Sequence, residues 1–410
     1  MNVFDTLILP NGSTIKNRIA KAAMEENMAD ADHAPSAELM CLYQAWAEGG
    51  AGLIITGNVM VDGRAMTGPG GVVLQDGQQL DKFKRWAHIG RSGGAQFWLQ
   101  INHPGRQMQS SLGQKTWAPS PVALELGTLS KRFATPHAMT PSVINEVIQR
   151  FANTARLGEQ AGFTGVQIHA AHGYLLSQFL SPLTNQRTDE WGGSLENRAR
   201  LLLAIVKAVR VTVSAEFAVA VKLNSADFQR GGFTAEDAKK VVALLNDSGV
   251  DLVELSGGSY EAPAMQGEAR DGRTLAREAY FVEFARDIQT VANMPVMVTG
   301  GIRRRAVAES VVQSGVDMVG IGTALAIDPQ LPRDWLAGKD NAPQLPPITW
   351  KNKAIAALAN MAVVKFQLRK LSQAKKPDPN VSPLRALILQ QIGLAFRTRQ
   401  YRRWVDKRSM

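Results

Sequence analysis

The chain has 410 residues, 45% of them hydrophobic and 20% charged, enough to bury one large core or two modest ones. No run of roughly 18 apolar residues occurs and no basic leader enters an apolar stretch, so neither a membrane-spanning helix nor a secretory signal is expected. Cys41 is the single cysteine, which excludes an internal disulfide and an iron–sulfur cluster held by this chain, and points to a reducing, cytoplasmic setting.

The net charge of +10 is uneven. Fourteen of the 46 Lys+Arg, but only two of the 36 Asp+Glu, follow Leu345, so the tail carries +12 and the rest −2. The high pI belongs to the tail, and nucleic-acid binding by the whole chain is not expected.

From residue 18 to 326 strand and helix patterns alternate. Strands are expected at 18–24, 53–60, 96–101, 165–170, 218–224, 252–258, 295–301 and 318–326. Most are short, rich in Val, Ile and Leu and apolar on both faces, as in a covered parallel sheet. Helices are expected at 36–48, 142–162, 195–213, 234–248, 276–291 and 304–314. Eight strands with helices between them fit a (β/α)₈ barrel, with an open doubly wound sheet as the competitor. The insert 102–141 holds five prolines and reads as a structured loop region with a small hairpin. The barrel is expected to span 1–345. A basic helical extension, 346–410, follows, with helices at 355–371 and 383–397 split by Lys375-Lys376-Pro377-Asp378-Pro379-Asn380.

In a barrel, chemistry sits at the C-terminal ends of the strands. Those ends read Ala22, Ala23, Met24 and Glu25; Thr56, Gly57 and Asn58; Gln100, Asn102 and His103; His169, His172 and Tyr174; Lys222 and Asn224; Gly300 and Gly301; Gly322 and Thr323. Glycine pairs after the last two strands suit a phosphate held by backbone N–H groups. Arg303, Arg304 and Arg305 follow directly and could support it. His169 and His172 lack a carboxylate or thiolate at metal-ligand spacing, so no metal is expected. The residues alone describe a site for a phosphorylated ligand, with one Lys and a His–His–Tyr wall.

The run 169–198, HAAHGYLLSQFLSPLTNQRTDEWGGSLENR, resembles the signature of the Old Yellow Enzyme family of FMN-dependent reductases. The stretches 15–24, 100–107, 298–302 and 319–329 resemble its first, third, seventh and eighth strands. The resemblance implies that Ala23, Met24 and Gly57 line the flavin, and that Gln100 bonds the pyrimidine edge. It places Lys222 near N1 and O2, where a cation stabilises the reduced ring. Gly300, Gly301 and Gly322 would hold the phosphate. His169 and His172 would bind the carbonyl oxygen of an enone, and Tyr174 would protonate the α-carbon.

Two positions depart from the family. Glu25 stands where relatives often carry Cys or Thr. A carboxylate there would lower the flavin potential if ionised, or donate a hydrogen bond if protonated. Thr323 stands where many relatives carry Arg, which leaves the phosphate to one of Arg303–Arg305. The expectation is an FMN-dependent ene-reductase. It would take hydride from NADH or NADPH, reduce the activated C=C bond of α,β-unsaturated carbonyl compounds and form a homo-oligomer. The alternatives are a non-redox lyase or isomerase of a phosphorylated metabolite, and a scaffold working through its tail.

Plainer roles stand beside these. His103 either lines the site or ties a loop, and Glu25 either meets the ligand or forms a salt bridge. Cys41 is expected in the core, Trp191 under its loop, and Arg187, Asp189 and Arg198 in one structural network. The tail is read as helices docked on the barrel or on a neighbouring subunit, as a peripheral anchor for anionic lipid, or as a contact for an acidic partner.

Overall fold

The computed structural model describes residues 1–262 and 281–409. Eight strands form the frame: β1 (Ile19–Lys21), β2 (Leu53–Met60), β3 (Gln96–Asn102), β4 (Gly165–Ala170), β5 (Ala218–Asn224), β6 (Leu252–Ser256), β7 (Val296–Thr299) and β8 (Met318–Ile321). Each pairs in parallel with the next, and β8 pairs with β1, which closes the sheet into a barrel. The open-sheet alternative is thereby excluded.

The alternation of side chains along each strand builds two cores. On β5, Val219, Val221 and Leu223 face outward into the helical layer, while Ala218 and Ala220 face the barrel interior. That interior is filled by Leu53, Ile55, Trp98, Leu252, Met297 and Met318. A two-stranded hairpin, Leu7–Ile8 with Thr14–Ile15, supplies Leu7, Leu9 and Ile15 to the same cluster. No element was expected in this N-terminal stretch. Further along β5 the inward series continues to Lys222, so apolar filling gives way to a polar layer.

The covering helices are α1 (Ala37–Ala47), α2 (Leu80–Arg91), α3 (Pro141–Gln160), α4 (Leu195–Arg210), α5 (Ala235–Leu245), α6 (Val282–Gln289) and α7 (Arg305–Gln313). Several start at side chains that accept a first-turn N–H: Ser36, Thr140 ahead of Pro141, Ser194, and Thr234 in a capping box with Asp237. α2 was not anticipated. It buries only a narrow stripe, Phe83, Trp86, Ala87 and Gly90, among charged neighbours. Residues 276–280 of the expected helix 276–291 lie outside the described residues. The end of the expected strand 318–326 is instead a short helix, Thr323–Ile327.

The insert 102–141 contains no hairpin. Its two short strands, Trp117–Ala118 and His137–Ala138, pair in parallel. Arg187 bonds the carbonyls of Pro119 and Met139 and the Asp189 carboxylate, tying the loop after β4 to this insert. Arg198 does not join that network; it bonds the Leu180 carbonyl.

The tail forms α8 (Lys353–Leu371) and α9 (Pro383–Ser409), both docked on this chain's own barrel. Leu368 and Leu371 of α8 enter the main core. Tyr401, Trp404 and Val405 of α9 pack with Met60, Met66, Val73, Met108 and Leu112. Cys41, expected in the core, is half-buried on α1, with its thiol against the Leu371 carbonyl at 3.8 Å. Among the described residues no helix is long and apolar enough to cross a membrane.

Candidate active site

At the C-terminal mouth of the barrel lies a cavity of about 520 Å³. Its walls include Ala23, Met24, Glu25, Gln100, His169, His172, Tyr174, Lys222, Gly300, Gly301, Gly322 and Thr323. Six strand ends thus converge on one space. Among the residues assigned to flavin or substrate by the resemblance, Gly57 is the exception. Its N–H bonds Tyr43 Oη at 3.0 Å and Glu26 Oε1 at 3.2 Å, and a Cβ there would collide with Glu26 and the Met24 carbonyl. It packs behind the wall rather than lining it.

That packing belongs to a buried polar cluster the sequence did not suggest. Lys21 bonds the Ile55 carbonyl at 2.8 Å, lies 3.6 Å from Glu26 and sits over the Trp46 ring. Burial pushes its ammonium down to about 8, against the opposing pull of Glu26.

The cavity floor is a chain of buried side chains. Gln100 Nε2 donates to Gln167 Oε1 at 2.8 Å, and Gln167 Nε2 donates to Glu254 Oε2 at 2.6 Å. Glu254 Oε1 accepts from Lys222 Nζ at 2.7 Å and from Thr299 Oγ1 at 2.6 Å. Lys222 is therefore paired within the chain, not left for a ligand alone. The strand register makes this pairing: Lys222 lies beside His169 on one side and Glu254 on the other. Glu254 is fully buried and had no role in the sequence reading. Its signal was a lone charge inside the apolar strand LVELS, because a buried carboxylate needs a partner.

The His pair forms one wall, with ring centroids 5.0 Å apart. Burial, then His172 and Lys222, hold the His169 imidazole well below its ordinary value. Burial and Lys222 do the same to His172. Both rings are neutral at pH 7. The Ala171 N–H donates to His169 Nδ1 at 3.3 Å, which leaves the proton on Nε2. His172 Nε2 lies 2.8 Å from Ser256 Oγ, and its own N–H donates to Asn224 Oδ1. His172 takes a left-handed backbone, φ 61°, held by those contacts.

The Tyr174 ring lies 4.9 Å from that of His169. Its hydroxyl is 3.2 Å from that of Tyr260, a cavity residue from the loop after β6. Burial and the neighbouring Tyr260 and Glu25 raise the Tyr174 phenol well above its usual value, so it is a protonated donor. Tyr260 carries no local sequence signal. His103 does not line the cavity; its Nδ1 accepts from the Gly105 N–H, and burial pushes it down to about 4.

Glu25 does line the cavity, and it forms a salt bridge. Lys365 Nζ on α8 sits 2.8 Å from its Oε2. Burial, the largest single influence, would raise this carboxyl; Lys365, with Thr67 and Asn27, together outweigh it and hold it below the ordinary range. Asn360, Met361, Val364, Lys365 and Leu368 of α8 line the cavity, as do Pro343, Gln344 and Leu345. The tail is therefore part of the site wall, and a division at residue 345 runs through it. Of the arginine triplet, Arg303 lines the cavity. Arg305 bonds Glu309 and the Trp335 carbonyl.

Residues 2–340 match the NADH:flavin oxidoreductase / NADH oxidase family. The chain belongs to that family. Its cofactor is FMN, with a reduced nicotinamide as electron donor, and membership sets aside the non-redox lyase or isomerase. The chain is 36% identical over 345 residues to the NADH-dependent flavin oxidoreductase iliE of Hypocrea jecorina, covering 78% of this chain and 86% of that protein. Against the Neonectria relative of the same name, also 36% identical, it spans 46% of the relative's length. It is 32% identical to an NADPH dehydrogenase of Geobacillus, covering 78% of this chain and 90% of that one. Among solved structures, a 2-naphthoyl-CoA reductase complex superposes with a TM-score of 0.75 at 27% identity, over 82% of this chain and 52% of that one. An Old Yellow Enzyme homologue from Zymomonas mobilis gives 0.71 at 24% identity, over 85% and 95%, and bears on the fold alone.

The donor set fits a flavin mononucleotide. Lys222 supplies a fixed cation, Gln100 an amide, and the Gly300-Gly301 turn, with φ 69° at Gly301, a bare backbone beside Arg303. The two aliphatic faces, Met24 on β1's side and Val364 and Leu368 on α8, suit a flat apolar ring.

Proposed function

We propose that the protein is an ene-reductase: it accepts hydride from NADH or NADPH and reduces the activated C=C bond of an α,β-unsaturated carbonyl compound. The observation that carries this reading is that His169, His172 and Tyr174 share one cavity with Lys222, Gly300, Gly301, Gly322 and Thr323.

Bound FMN supplies hydride transfer in both half-reactions. The chain's residues do the rest. Gln100 and Lys222 orient the ring's polar edge, and Glu254 fixes Lys222. Gly300, Gly301, Gly322 and Thr323 hold the phosphate, with Arg303 as its cation. His169 Nε2–H and the His172 ring hold the carbonyl oxygen of the enone as it gains negative charge. They act as neutral donors, so this grip does not require an imidazolium. Tyr174 gives its proton to the α-carbon. Tyr260, within hydrogen-bond reach, stabilises the phenolate left behind. Glu25, neutralised by Lys365, adds little net charge to the wall. Leu345, Met361 and Val364 give the substrate an apolar border.

Stopped-flow kinetics of the two half-reactions test this. Cyclohexenone should reoxidise the reduced enzyme in the wild type. The Tyr174→Phe variant should do so about 10²–10⁴ times more slowly, with its reduction by nicotinamide unchanged. Equal reoxidation rates in the two proteins would overturn the role of Tyr174.

A further inference from the structure

The outer face of α9 takes no part in the barrel or its cavity. Among the described residues eleven large apolar side chains are exposed, and five lie on this helix: Leu384, Ile388, Leu389, Ile392 and Phe396. Their exposures run from 40% to 69%. Their spacing of about one helical turn per step puts them on one stripe. The opposite face, through Ala386, Tyr401, Trp404 and Val405, is the one packed on the rest of the chain. Arg385 stands at one end of the stripe and Arg399 and Arg403 at the other, all exposed. No ion pair joins these three to a described carboxylate, whereas Arg408 on the inner side is bound to Asp76 at 2.8 Å.

We propose that this face docks the enzyme on an anionic phospholipid bilayer. The helix would lie in the plane of the interface, its aliphatic stripe and Phe396 entering the headgroup boundary and its arginines meeting lipid phosphates. Charge complementarity selects this occupant. The tail carries +12 on a body of −2. Lys365 and Arg408 are paired within the chain with Glu25 and Asp76, but Arg385, Arg399 and Arg403 stand exposed along the stripe, and each basic residue near an anionic surface adds to the attraction. A second copy of the chain fits worse. Antiparallel pairing about Ile392 sets Arg385 against Arg399 of the other copy, and parallel pairing sets each arginine against itself. Either arrangement brings like charges together beside a desolvated stripe.

Co-sedimentation of the full-length protein with vesicles tests the proposal. One set is phosphatidylcholine alone; the other contains roughly one part in three phosphatidylserine. The expected result is sedimentation with the anionic vesicles only, reduced by added salt. Two variants, Ile392→Asp/Phe396→Asp and Arg399→Glu/Arg403→Glu, should each lower the bound fraction about tenfold. Their circular dichroism should match the wild type, since all four side chains are exposed. Wild-type protein that ignores anionic vesicles, or variants that bind as well, would overturn it. So would a solution mass of two chains that falls to one in Ile392→Asp/Phe396→Asp, because the stripe would then belong to a second copy. None of these outcomes depends on the redox chemistry.

Discussion

Glu25 is the residue whose role depends most on a distant partner. Lys365 lies 340 positions away and meets it at 2.8 Å, with side-chain exposures of 27% and 17%. A partly buried pair of this kind contributes on the order of 1 kcal/mol. Its folded carboxyl is held below the unfolded value, so its stabilisation is present above the unfolded pKa and lost as pH falls through the folded one. A double-mutant cycle of Glu25→Gln and Lys365→Met, read by denaturant unfolding, should therefore show that coupling at pH 7 and none in strong acid. Tyr260 is the second residue of this kind. Tyr260→Phe keeps the Tyr174 phenol but removes its hydrogen-bond partner. Enone reoxidation should slow by about tenfold, less than in Tyr174→Phe, with nicotinamide-driven reduction intact. Stopped-flow comparison of the two variants checks the order. Neither Lys365 nor Tyr260 was legible in the sequence, because each acquires its meaning from a contact that only the fold creates.

At the scale of elements, the inner face of the strands decides where chemistry begins. β4 and β5 were legible to the residue, being short, apolar on both faces and cleanly bounded. β6 was legible as a strand, but its central Glu254 was not recognised as the hub linking Lys222, Thr299 and Gln167. Glu254→Leu leaves Lys222 as an unpaired buried charge. It should destabilise the protein by about 3–5 kcal/mol, seen as a fall in Tm, and weaken flavin retention. Lys222→Met in the same background should recover part of that stability, since the uncompensated charge is then gone. The tail was legible as two helices, and its docked position was one of several open readings. What periodicity could not show was that α8 walls the cavity, because nothing in Lys353–Leu371 marks which of its sides meets the barrel mouth.

For the whole molecule, the eightfold alternation carried the architecture, and the long match at 169–198 carried the site. The floor network and the tail contribution came only with three-dimensional closure. The fold also sets a response to acid. His33, His103, His169 and His172 are all held below their ordinary values, burial being the first cause in each, with His103 at about 4. The unfolded chain binds these protons near pH 6.5 and the folded chain does not. Stability is thus full above about pH 6.5 and falls as pH drops below it. The urea midpoint should be clearly lower at pH 5.5 than at pH 7.5, with net proton uptake on unfolding; an unchanged midpoint would contradict the burial of neutral histidines. The most direct test of the central claim is an anaerobic visible spectrum of the purified protein, taken before and after NADH or NADPH and again after cyclohexenone. The structure predicts a yellow protein that bleaches with the reduced nicotinamide and regains its colour with the enone. A colourless protein that takes up no FMN on reconstitution, or a bleached one that cyclohexenone leaves bleached, would contradict it.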